Sequence, residues 1–199
     1  MVPQEHQVNK LKNTFISGYY MKDLSICDEL IDYYEKSDNK TEGIVGGGRI
    51  DKTVKDSTEV IVNLWDNIPV LNKYEKTLQD MLEFYKLQYP EINETAYWTI
   101  NTSSNIQKYN PGCGFKKIHF ERSDVKSSTR FLVFMTYLNT VEDGGGTKWI
   151  HQDLELKAEK GLTVFWPVDW THKHVGVISP TETKYIITGW YNFNNFNKE

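Results

Sequence analysis

Thr183-Lys-Tyr-Ile-Ile-Thr-Gly-Trp-Tyr-Asn-Phe193 reads as one long β-strand. Its β-branched and aromatic side chains suit a pleated surface. Successive side chains of a strand point to opposite faces. Lys184, Ile186, Thr188 and Trp190 therefore share one face, and Tyr185, Ile187, Gly189 and Tyr191 share the other. A lysine among such apolar neighbours is costly to bury unpaired. Strand lysines are mostly exposed, so Lys184 is either a solvated residue or the partner of an anionic ligand.

Outward from this strand the same texture continues. Further strand candidates are Ala96–Ile100, Asn105–Tyr109, Arg130–Leu138, Thr147–Ile150, Leu154–Lys157, Leu162–Trp166 and His174–Ile178, with Gly, Pro and Asn between them. Many short strands punctuated by turn residues predict a sandwich or barrel. Two helical patterns precede them. Asp23 can cap a segment with apolar residues at Leu24, Cys27, Leu30, Ile31 and Tyr34, which is helical spacing. A second helix is predicted over Val70–Gln88, with Leu71, Tyr74, Leu78, Met81, Leu82 and Tyr85 as its stripe and Pro90 just beyond it. Gly43–Lys55, between the helices, reads as a flexible loop or hairpin; no GK[ST] follows its glycines, so it is not a phosphate loop. The expected fold is α+β: a double-stranded β-helix (a cupin-like jelly roll) with N-terminal buttressing helices. The expected organisation is one domain over 1–199, helical to about 94, with the jelly-roll core over about 95–193.

Composition narrows the function. The chain has 199 residues, 39% hydrophobic and 25% charged, with aromatics at 14%, enough for a sizeable core. A net charge of −4 disfavours a general nucleic-acid binder, which usually presents a basic face. No run of about 18 apolar residues occurs, so no membrane span is expected. Met1 to Leu11 is polar and does not read as a signal peptide. Cys27 and Cys113 form no CxxC pair and no disulfide framework. They are expected to be free thiols in a reducing cytoplasm.

The chemistry lies in the histidines. His119 and Glu121 are two residues apart and would share a face if extended. His172 and His174 are candidates for a third ligand. Two imidazoles and a carboxylate on one octahedral face leave three positions open, the facial triad of non-haem Fe(II) oxygenases. His151-Gln152-Asp153 is a competing HxD. It lies only 23 residues before His174, room for about one hairpin, whereas His119 lies 55 before it; His151 is expected in a partly exposed strand or turn. Asp124 is wrongly spaced to replace Glu121. His6 receives no role.

Several motifs in order then resemble the prolyl 4-hydroxylase branch of the 2-oxoglutarate oxygenases, from about Tyr109 to Tyr191. Tyr109-Asn-Pro-Gly112 precedes His119 by ten residues. Arg130 opens a strand ending Tyr137-Leu-Asn139. Gly144-Gly-Gly-Thr147 is similar to the family's GG-x-T turn, Gly161 leads to Trp166-Pro167, and Lys184-Tyr-Ile-Ile-Thr-Gly-Trp190 closes the set. The chain also looks like small members encoded by bacteriophages. Most relatives carry Asp where this chain has Glu121; retention of a carboxylate favours hydroxylation over halogenation.

The resemblance implies an Fe(II)- and 2-oxoglutarate-dependent dioxygenase that uses O₂, with ascorbate as a stimulant, acting on a prolyl residue of a peptide or protein. It implies His119, Glu121 and His174 as iron ligands; His174, not His172, stands at the family interval of ten residues before Lys184. His172 is expected beside the site, orienting a ligand or substrate. Lys184 would bind the distal carboxylate of 2-oxoglutarate. Tyr109 and Tyr137 would donate hydroxyl hydrogen bonds to it, Thr188 would share the pocket, and Arg130 would face the substrate. Trp190 is expected in the core beside the metal strand, and Trp149, Trp166 and Trp170 as packing residues. The substrate-facing parts are expected at Gly43–Thr58 and after Glu121. Competing readings are the same chemistry on a free amino acid, small molecule or nucleobase, and a jelly-roll binding protein without turnover. The nucleobase version usually has two arginines closing its last strand; Lys184 stands there instead.

Overall fold

The computed structural model describes residues 14–46 and 48–194. The expectations for Met1 to Leu11, His6 and Gly47 lie outside these residues. The elements in chain order are β1 (Ser17–Tyr20), α1 (Ser25–Lys36), β2 (Thr41–Glu42), β3 (Ile44–Val45), β4 (Arg49–Ile50), β5 (Thr58–Val62), α2 (Pro69–Gln88), β6 (Trp98–Thr99), β7 (Ser104–Tyr109), β8 (Arg130–Tyr137), β9 (Thr147–Trp149), β10 (Leu154–Leu156), β11 (Leu162–Pro167), β12 (His174–Gly176) and β13 (Lys184–Phe193).

Both helices form where the apolar spacing places them. α2 begins at Pro69, whose fixed φ suits the first helical position. Its entire predicted stripe is buried. In α1, Leu24 rather than Asp23 occupies the N-cap position. Asp23 ties the entry instead, its Oδ1 accepting from the Ser25 N–H at 3.0 Å and the Ser25 hydroxyl at 2.6 Å.

The strands build a large antiparallel sheet in the order β1-β11-β8-β13-β7-β5-β2, with β6 also on β13, and a small sheet β10-β9-β12. The small sheet packs over one face of the large one, giving the jelly roll. Alternation along β8 sorts the two sides. Leu132 and Phe134 join the helical core with Leu71, Leu78 and Leu82. Val133, Met135 and Tyr137 join Trp149, Leu156 and Trp166 between the sheets. On β13, Ile187 and Tyr191 face the helices, while Ile186 faces the small sheet. Each fully buried apolar side chain of this kind contributes about 1.5–3 kcal/mol.

The first 94 residues are not simply helical. β1 pairs with β11, and β5 pairs with β7 in register Val60↔Ile106, so this part widens the large sheet as well as covering it. The glycine-rich segment is a hairpin, β3 on β4. It is stitched to the rest by Asp56 N–H to the Gly114 carbonyl at 3.0 Å and Lys116 N–H to the Val54 carbonyl at 2.8 Å. No helix of the described residues is long and apolar enough to cross a membrane.

Candidate active site

His119 lies outside any regular strand. It forms a single antiparallel bridge with His174 at the start of β12. The two backbones exchange bonds of 3.0 and 2.9 Å, which places both imidazoles at the open end between the sheets. Glu121 follows two residues later, its N–H bonded to the Val168 carbonyl at 3.0 Å just after β11. Ligand atoms of His119, Glu121 and His174 all lie within 4.8 Å of one another, the one such cluster among the described residues. Glu121 Oε1 is 3.5 Å from His119 Nε2 and 3.3 Å from His174 Nε2.

The imidazoles are fixed from behind. Nδ1 of His119 donates to the Lys117 carbonyl at 2.8 Å, and Nδ1 of His174 to the His172 carbonyl at 2.9 Å. A carbonyl only accepts, so the proton of a neutral ring sits on Nδ1 and the Nε2 lone pair faces the cluster. Phe115 stacks on His119 at 3.7 Å between centroids, and Trp166 meets His174 edge-on at 5.1 Å. Burial opposes ionisation of Glu121, but the Nε2–H bonds and positive charge that His119 and His174 supply when protonated outweigh it and hold the carboxyl well below its usual range; a metal cation bound to the neutral rings would take the place of those protons. Two nitrogen lone pairs and an ionised oxygen suit Fe(II), so these residues fit that ion.

His172 does not reach the cluster. Its Nε2 pairs with the Thr14 carbonyl at 2.9 Å, on the far side, and it serves the site only through the backbone carbonyl that orients His174. Trp170-Thr-His172 is a short 3₁₀ turn, in keeping with a strand that begins at His174. His151 is exposed in a turn. Asp124 is engaged with Ser127, accepting from its N–H at 2.9 Å.

A cavity of about 690 Å³ opens on the triad, within the usual range for small-molecule sites. Tyr109, Thr147, Lys184, Ile186 and Thr188 line it together with His119, Glu121 and His174. Lys184 is 5% exposed. Its ammonium donates to the Gly145 carbonyl at 2.8 Å and stands over the Tyr109 ring at 5.0 Å, with no carboxylate partner among the described residues. The other buried lysine, Lys55, is paired with Glu59. Desolvation lowers the Lys184 pKa from 10.5 to about 8. A buried cation without an anion is poised to receive one.

The expected hydroxyl donors are placed less directly. Tyr109 presents its ring to Lys184, while its hydroxyl donates to Gln107 at 2.6 Å. Tyr137 is fully buried and donates to Thr147 Oγ1 at 2.7 Å, so Thr147 stands on the cavity wall between Tyr137 and the interior. Thr188 lines the cavity, but its hydroxyl bonds the Phe134 carbonyl at 2.9 Å. Thr147 received no role from sequence, although it ends the Gly144-Gly-Gly turn. Trp190 is half-buried and donates Nε1 to Glu121 Oε2 at 3.1 Å. Arg130 lines the cavity beside it. Trp149 and Trp166 are packing residues as expected, but Trp170 is 64% exposed and packs nothing away. The hairpin residues Ile44, Val45 and Arg49 line one side of the mouth, and Ser123, Asp124 and Lys126 another, the two segments expected to face substrate.

Two histidines and a carboxylate at the open end of a double-stranded β-helix are the donor set that non-haem iron oxygenases use. Residues 104–192 match the model of the 2OG-Fe(II) oxygenase superfamily. Among curated proteins, none matches the chain in sequence. Solved structures with the same fold include the viral collagen prolyl hydroxylase of Paramecium Bursaria Chlorella virus-1 in its 2OG complex, at TM-score 0.69 and 17% identity over 92% of this chain and 98% of that one. A Pseudomonas putida prolyl-4-hydroxylase aligns at TM-score 0.70 and 15% identity, covering 92% and 95%. A Trichoplax adhaerens prolyl hydroxylase in complex with a hypoxia inducible factor oxygen degradation domain peptide fragment aligns at 0.71 and 15%, covering 92% and 86%. The chain is a 2-oxoglutarate- and Fe(II)-dependent dioxygenase with a prolyl 4-hydroxylase-like fold.

Proposed function

We propose that the enzyme hydroxylates a prolyl residue within a peptide or protein, with His119, Glu121 and His174 holding Fe(II) and Lys184 receiving the distal carboxylate of 2-oxoglutarate. The observation that carries this reading is the meeting, in one cavity, of the triad and a buried lysine that has no carboxylate partner among the described residues. The peptide-bound Trichoplax structure supports a peptide substrate. The cavity mouth supports it too, being walled by two chain segments rather than closed.

When bound, Fe(II) would activate O₂, the oxidant, of which one atom goes to the substrate C–H bond and the other to the succinate formed as 2-oxoglutarate loses CO₂. The side chains supply geometry. His119 and His174 present fixed Nε2 lone pairs, and Glu121 presents Oε1. Lys184 anchors the co-substrate by charge, and the Thr147 hydroxyl stands on the same wall. Tyr109 closes the space beneath the ammonium. The β3–β4 hairpin and the segment after Glu121 flank the entry, and Arg130 stands where the substrate enters. Ile186 and Trp166 keep the interior apolar, which strengthens the lysine–carboxylate pair. Two free thiols support our placing of the enzyme in a reducing, cytoplasmic setting, where ascorbate would stimulate turnover.

The test is His119→Ala, assayed with Fe(II), 2-oxoglutarate, ascorbate and a panel of proline-containing peptides. Loss of both Fe(II) binding and succinate release is expected, with thermal stability retained. Undiminished turnover in the variant would overturn the ligand assignment.

A further inference from the structure

Glu121 carries two methylenes, and a carboxylate on so long a stem has several rotamers. The one in the structure presents Oε1 to both imidazoles. The structure shows what selects it. Oε1 faces His119 and His174, while Oε2 turns away and accepts from Trp190 Nε1 at 3.1 Å. Arg130 approaches the same oxygen at 3.4 Å through Nη1, and that nitrogen donates to the Glu121 backbone carbonyl at 2.8 Å. The guanidinium lies on the Trp190 ring, 3.6 Å from its centroid. The two donors sit on neighbouring strands, where Trp190 pairs with Val133 and Asn192 with Arg130. The clamp is therefore built where β8 opens against β13, beside the register shift between Tyr191 and Asn192.

We infer that Trp190 and Arg130 are positioning residues that fix the Glu121 carboxylate for metal binding. This rests on the reading of His119, Glu121 and His174 as the ligands. Trp190 supplies an N–H to an ionised acceptor, a stronger bond than one between neutral groups. Arg130 holds both the side chain and the backbone of Glu121, so the carboxylate and its stem are constrained together. Arg130 thus has work beyond any contact with substrate, and the Trp190 indole is more than packing.

The experiment is a titration of the full chain with Mn(II), followed by calorimetry to millimolar metal so that weak binding is measured. Trp190→Phe keeps the ring and removes the donor. It should weaken Mn(II) binding about tenfold, the usual loss when a ligand's hydrogen-bond partner is removed. In a Glu121→Asp background the shorter carboxylate cannot reach the indole, and the same substitution should change affinity by less than about twofold. An equal loss in both backgrounds would make Trp190 merely structural, and no loss in the parent background would remove the clamp; either result overturns the inference. If Trp190→Phe does not fold, Arg130→Met carries the cycle; because Arg130 also holds the Glu121 backbone carbonyl, its loss is expected in both backgrounds but larger in the parent, and an equal loss in both overturns the inference. His119→Ala separates the two readings. If it keeps Mn(II) affinity, the ligand assignment fails; if it loses Mn(II) while Trp190→Phe does not, only the clamp fails.

Discussion

Lys184 pits two requirements against each other. Its ammonium must be desolvated to grip a carboxylate strongly, and desolvation disfavours the charge it needs. The outcome is a pKa of about 8. Below that value the free enzyme carries the cation; above it the amine is neutral and the distal carboxylate of 2-oxoglutarate loses its partner. The KM for 2-oxoglutarate is therefore expected to be flat up to about pH 8 and then to rise by up to about tenfold per unit. Lys184→Arg should flatten the rise, since a guanidinium stays charged, at the cost of a poorer fit. Steady-state kinetics from pH 6.5 to about 9.5 check this; a flat profile in the parent enzyme would move the carboxylate site elsewhere. The lysine was readable in sequence because it is an odd cation on an apolar strand face ten residues after His174. The triad was readable for the same kind of reason, from ligand types at ordered intervals. Trp190 was not: a strand tryptophan reads as core, and nothing in the spacing says that its N–H meets Glu121. The Tyr109 and Thr188 hydroxyls show the converse. Their positions on the wall were readable, but competition from Gln107 and the Phe134 carbonyl was not.

The turn between β8 and β9 shows how a short element tunes a distant side chain. Gly144 and Gly145 adopt φ of +80° and +74°, the left-handed region where side chains are strained. A Cβ at Gly145 would lie 2.6 Å from Val141 Cγ1. The Gly145 carbonyl is the hydrogen-bond acceptor for Lys184, so the glycine sets the direction in which the ammonium points. Gly145→Ala is expected to destabilise the protein by about 1–3 kcal/mol and to raise the 2-oxoglutarate KM with less effect on metal affinity. Thermal denaturation and kinetics measured together test it; a stable variant with an unchanged KM would show that the turn does not steer Lys184. The eight strand candidates after Glu94 all contain observed strands, because β-branched runs between turn residues carry a strong signal. β1 and β5 escaped notice among helical neighbours. Each has the pattern of an ordinary short strand; in Thr58–Val62 the apolar alternation of Val60 and Val62 is intact, but the opposite face buries Glu59 and exposes Ile61, the reverse of what their side chains predict. That burial is resolved only in three dimensions, by the ion pair with Lys55. His119 also departs from the extended-segment expectation: a one-residue bridge to His174, rather than a regular strand, brings the ligands together.

The molecule as a whole holds a cavity that its sequence would fold more comfortably without. Lys184 has an ordinary pKa of 10.5 when unfolded and one of about 8 when folded. Between those values the unfolded chain binds a proton that the folded one does not, so stability rises with pH across that window. Below pH 8 both forms are protonated and the folded state bears the full cost, on the order of 3 kcal/mol for such a shift. The bond to Gly145 offsets about 1 kcal/mol of it. Lys184→Met keeps the length of the side chain and removes the buried charge. The ligand-free variant is therefore expected to melt a few degrees above the parent at pH 7, given about 2–4 °C per kcal/mol for a chain of this size. Ligand reverses the order. Mn(II) with 2-oxoglutarate at about a hundred times its Kd should stabilise the parent by about 2.7 kcal/mol, whereas the variant, lacking the anchor, should gain little from the co-substrate. Melting curves of both proteins, with and without 2-oxoglutarate and Mn(II), decide the matter. A variant that is less stable without ligand, or that gains as much as the parent from 2-oxoglutarate, would show that Lys184 is a structural residue and not the anchor. The expected crossing of the two stabilities is the thermodynamic mark of a charge kept buried for a ligand.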